Sequence, residues 1–123
     1  MPRKQTSSRS RVTYDTVREL ARELPEVEES THYGTPSLKV RGKMFVRLKE
    51  DGDTIVLRTD AFERAHLVSS EPEVFFFTDH YREYPLVLVK LSKVGRAQIR
   101  ELLEGAWRRV APKKLIAARE AAE

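Results

Sequence analysis

The sequence predicts an α+β fold: a single antiparallel sheet with helices packed on it. Three observations carry the prediction. Runs of alternating apolar and polar residues in the first half are joined by tight-turn signals. Apolar residues recur at helical spacing near both ends. The resulting order is a helix, several strands, a helix, two strands and two helices. The 123 residues suit one domain, read as 12–123, and a 40% hydrophobic fraction supplies a core.

Thr13 caps a first helix to about Leu24, with Val17, Leu20, Ala21 and Leu24 on one face, and Pro25 ends it. Short strands follow at Thr31–Tyr33 and Ser37–Arg41, joined by Gly34-Thr35-Pro36. Gly42-Lys43 turns the chain into Met44–Lys49, where Met44, Val46 and Leu48 alternate with Phe45, Arg47 and Lys49. Asp51-Gly52-Asp53 marks a hairpin before Thr54–Thr59. Asp60 and Glu63 form a capping box for a helix to about Val68. A strand at Val74–Phe77, a polar loop at Thr78–Tyr84 and a strand at Leu86–Leu91 come next. A helix over Arg96–Val110 shows an inward stripe of Ile99, Leu102, Leu103, Ala106, Trp107 and Val110. Pro112 opens a final helix to about Glu120.

The formal charge of +4 has a location. Residues 1–11 carry Arg3, Lys4, Arg9 and Arg11 without an acid, so the other 19 of the 23 Lys and Arg balance the 19 Asp and Glu. This Ser- and Arg-rich tail is expected to be disordered, a basic arm able to follow a phosphate backbone. No cysteine is present, which excludes disulfides and thiolate chemistry. The apolar runs are too short to span a bilayer and no secretory signal is evident, so a cytoplasmic monomer is expected.

Catalytic constellations are missing. His32, His66 and His80 fit no metal-ligand spacing, and the five glycines form no phosphate loop. Asp15, Glu19 and Glu23 share a helix face but alternate with Arg18 and Arg22, which favours charge pairing over frataxin-like metal binding. Three clusters remain. The hairpin carries Lys39, Arg41, Lys43, Arg47 and Lys49, the first three forming a cationic ladder by strand period. Arg108, Arg109, Lys113 and Lys114 flank the last helix junction. His80, Tyr81, Arg82 and Tyr84 interleave rings with cations, as single-stranded nucleic acid or a planar ligand would require.

The stretch Tyr33-Gly34-Thr35-Pro36-Ser37-Leu38-Lys39-Val40-Arg41-Gly42-Lys43-Met44-Phe45 resembles the MmcQ/YjbR family. Asp79-His80-Tyr81-Arg82-Glu83-Tyr84-Pro85 and Ala106-Trp107-Arg108-Arg109-Val110-Ala111-Pro112 agree with it. The resemblance implies a CyaY/frataxin-like α+β fold with a double-wing arrangement suggestive of DNA binding. It makes Lys39, Arg41, Lys43, His80, Arg82, Lys113 and Lys114, with Arg47 on the same hairpin, the candidate contacts to double-stranded DNA. Some members have a tryptophan early in the last strand; Pro85-Leu86-Val87 stand here, leaving ring contacts to Tyr81 and Tyr84. The expected function is non-enzymatic DNA binding without a cofactor. The alternative is a protein-partner or small-ligand module using the Thr78–Tyr84 loop.

Overall fold

A computed structural model describes residues 11–122; the predicted disorder of the basic tail falls almost entirely outside them. The order is α1 (Tyr14–Ala21), β1 (Val27–His32), β2 (Thr35–Val40), β3 (Lys43–Leu48), β4 (Thr54–Arg58), α2 (Ala61–Ser70), β5 (Phe75–Phe76), β6 (Leu86–Lys90), α3 (Arg96–Val110) and α4 (Lys113–Ala122). The six strands form one sheet in the order β1-β2-β3-β4-β6-β5, with every neighbouring pair antiparallel. The predicted α+β class is the observed one. No helix among the described residues is long and apolar enough to cross a membrane.

One face of the sheet forms the core. Leu38, Val46, Ile55, Leu57, Val87, Val89 and Phe75 meet Val17, Leu20 and Ala21 of α1 and the whole predicted stripe of α3. Trp107 is fully buried, and its indole N–H donates to the Pro25 carbonyl at 2.9 Å, tying α3 to the end of the α1 segment. Thr13 and Thr16 cap α1 reciprocally, and the Asp60 carboxylate accepts the Glu63 N–H at 2.7 Å to start α2.

Three departures from the sequence reading have local causes. α1 stops at Ala21, and β1 begins at Val27, where only an acidic extension was expected. β1 is an edge strand, and Glu28 and Glu29 lie exposed on it, so it lacks apolar alternation. The β1–β2 turn centres on Tyr33-Gly34, both in the left-handed region (φ 53° and 79°), which matches the twist of a tight hairpin. Finally, a bulge breaks the alternation of β3: Leu38 pairs Val46 and Lys39 pairs Met44, leaving Phe45 extra. Phe45 and Val46 consequently both enter the core.

Candidate functional site

Among the described residues, no α-helix packs on the second face of the sheet. Arg47 and Val56, which pair across β3 and β4, face this side, and the segment between β5 and β6 folds back over them. That segment contains one turn of tight helix, Asp79–Tyr81. A groove of about 290 Å³ lies between this loop and the β1–β2 turn. His32 and Tyr33 line one wall, His80, Tyr81 and Tyr84 the other, and Met44, Arg47 and Val56 the floor. Tyr33 is 82% exposed and Tyr84 55%, so two phenol rings stand open to solvent beside the groove. A bulky aromatic residue in the left-handed region is rare and costs on the order of 1 kcal/mol. His32 packs edge-on to Tyr33 with centroids 4.4 Å apart, and His80 does the same to Tyr81 at 4.7 Å.

Arg64 of α2 fixes the loop. Its Nη1 donates to the carbonyls of Tyr81, Tyr84 and Leu86 at 3.0, 3.1 and 3.1 Å, and Nη2 to that of Arg82 at 2.9 Å. Its guanidinium carbon lies 4.1 Å from the centroid of the Phe77 ring. Sequence reasoning missed this residue. Its partners are backbone oxygens, which leave no sequence signal.

The predicted cationic contacts are not brought into one ladder. Arg41 occupies the β2–β3 turn (φ 51°), and its Nε and Nη2 donate to Glu26 at 2.5 and 3.1 Å. That hydrogen-bonded pairing holds the Glu26 carboxyl below the usual carboxylate range. Arg47, expected on an exposed strand, is buried: its side chain is 8% exposed. The reason is the loop, since Nη2 donates to the Tyr81 hydroxyl at 3.2 Å and Nη1 to the Thr35 hydroxyl at 3.1 Å. Arg82 is held by Asp79 at 2.7 Å, and His80 is exposed on the loop. Lys39 is half-buried beside Met44, while Lys43 is exposed, as are Lys113 and Lys114 at the start of α4. Arg108 and Arg109 are both paired, to Glu104 and Glu120 and to Asp60 and Glu63. Asp15 of α1 pairs with Arg18, and Glu23, which lies past the end of α1 and so off the expected helix face, pairs with Arg100; no group of three potential metal ligands is assembled among the described residues.

A helix-backed antiparallel sheet whose other face is roofed by an arginine-anchored loop defines a small α+β protein with an open-face groove. The chain belongs to the YjbR family, whose model matches residues 22–109. It is 38% identical over 68 residues to the Uncharacterized protein Rv2570 of Mycobacterium tuberculosis and equally to the Uncharacterized protein Mb2600 of Mycobacterium bovis. Those matches cover 54% of this chain, and the chain spans about half the length (53%) of these curated relatives. Among solved structures it is similar to Deinococcus radiodurans protein DR2400, a DUF419 domain, with a TM-score of 0.69 and 24% identity. That likeness covers 79% of this chain and 77% of the other, and shows the shared fold.

Proposed function

We propose that this protein is a non-catalytic binding module whose open-face groove takes a planar ring. One observation carries the reading. Five rings from two segments far apart in the chain converge on one side of the sheet, with Tyr33 and Tyr84 left open to solvent. Exposed rings of this kind offer stacking faces, each worth roughly 1–3 kcal/mol to a bound base or similar ring. A pre-anchored loop supplies such faces with little ordering cost. Indole, adenine and benzoate, titrated separately and followed by amide NMR, provide the test. At least one should shift Tyr33, Arg47 and Tyr81 saturably, and Tyr33→Ala or Tyr84→Ala should weaken it about tenfold. If all three leave the groove amides unmoved, the reading is wrong.

Double-stranded DNA is the second reading. It draws support from exposed Lys43 on the β2–β3 hairpin and exposed Lys113 and Lys114, and from Lys39, which stands opposite Glu28 across β1 and β2. The pairing of most arginines weighs against it, because a phosphate must compete with a carboxylate already in place. Under this reading Lys39→Ala with Lys43→Ala should weaken duplex binding and lower its logarithmic salt slope by roughly two. An unchanged slope removes the hairpin from any DNA contact.

A further inference from the structure

We infer that the ring-bearing ligand of the groove also carries an anionic group, seated against Arg47 and the Tyr81 hydroxyl. The inference rests on the groove reading and names the ligand class it takes: a small planar ring bearing a carboxylate or phosphate.

Taking a guanidinium out of water is unfavourable unless an anion or a full set of acceptors replaces the solvent. Other arginines of this protein meet that requirement with a close carboxylate. Arg18, Arg41, Arg82, Arg100 and Arg108 each hold one at 3.2 Å or nearer, although they are more exposed than Arg47. Arg47, with its side chain 8% exposed, has two neutral hydroxyls within hydrogen-bond distance. Its acid, Glu50, stands at 3.8 Å from Nη1 and is itself 68% exposed, so water screens much of its attraction. A positive charge is thus held on the floor of the groove with a loose counter-ion.

The neighbouring groups complete a receptor for an anion. The Tyr81 oxygen accepts from Arg47, which directs its own proton away from the guanidinium toward another acceptor. The Thr35 hydroxyl, by contrast, already donates to the His32 carbonyl at 2.9 Å. Ser37, directly opposite Arg47 across the β2–β3 pair, is buried, and its hydroxyl has no partner among the described residues. Lys49 places its ammonium 5.7 Å from the Tyr81 ring centroid and adds positive potential at the rim. The Arg47 guanidinium lies over the Tyr33 ring, 5.7 Å from its centroid, so the cation and the exposed phenol border the same space.

The experiment compares benzoate and phenyl phosphate with the neutral isostere benzamide by amide NMR on the full chain. Either anion should bind at least about tenfold tighter than benzamide, as a charge-assisted contact requires. The preferred anion identifies the group. Glu50→Gln, an exposed substitution that leaves the core untouched, should tighten the preferred anion about two- to fivefold and leave benzamide unchanged. Tyr81→Phe should weaken the anion more than benzamide. Equal binding of all three probes in the groove would overturn the anionic subsite while leaving the ring-binding reading intact. If none of these probes moves the groove residues while indole or adenine does, the anionic subsite fails and the ring-binding reading stands; if those two also leave the groove unmoved, both fail.

Discussion

Arg64→Ala is expected to cost about 2–4 kcal/mol and to free the segment from Tyr81 to Leu86. The size follows from the number of groups left behind. Four backbone carbonyls lose a charged donor at once, and Phe77 loses the guanidinium stacked on it. Hydrogen exchange provides the local measurement. The Tyr84 and Leu86 amides, which donate to the Tyr81 and Tyr84 carbonyls at 3.0 and 2.8 Å, should lose protection before the core strands do. Arg64→Lys should recover little, because an ammonium cannot reproduce the planar fork that reaches four oxygens. Ligand affinity in the groove should fall in parallel, since Tyr81 and Tyr84 would no longer be held in place. Unaltered exchange at Tyr84 and Leu86 would mean that the loop is ordered by something other than Arg64.

Trp107→Ala should destabilise the protein by about 3–5 kcal/mol, measured by urea unfolding. The indole is fully buried between α3 and the sheet, so its removal loses transfer energy and leaves a cavity. It also strips the Pro25 carbonyl of its 2.9 Å donor. Trp107→Phe separates the two contributions, filling most of the volume but lacking the N–H, and should cost distinctly less than alanine. A loss below about 1 kcal/mol for alanine would mean that α3 can repack around the gap, contrary to the close packing seen at the helix–sheet interface.

Legibility in the sequence followed the range of the interactions involved. The stripe of α3 was read in full, from Ile99 to Val110, because a helix buried on one side writes its period into neighbouring positions. The caps at Thr13 and Asp60 were equally visible, each a bond within one turn of chain, although the Glu63 carboxylate accepts from the Thr59 hydroxyl instead of closing the expected box on Asp60. β1 was missed in large part, since its edge position lets Glu28 and Glu29 occupy a strand without an apolar face. The ring-bearing loop was singled out from its residue types. Its opposite wall at His32 and Tyr33 was not, because nothing local brings residues 32–33 beside residues 80–84.

Arg47 separates the two levels most clearly. Strand period placed it on a face, and charge alone suggested that the face met solvent. The returning loop reversed that environment without changing the residue. What the sequence alone determined was the helices, the strands inside the sheet, their order and the helix-covered core, all of which arise from periodicity and capping over a few residues. Only the tertiary structure decided which sheet face was roofed, which cation was buried and which rings met, because burial depends on what the rest of the chain lays over a residue.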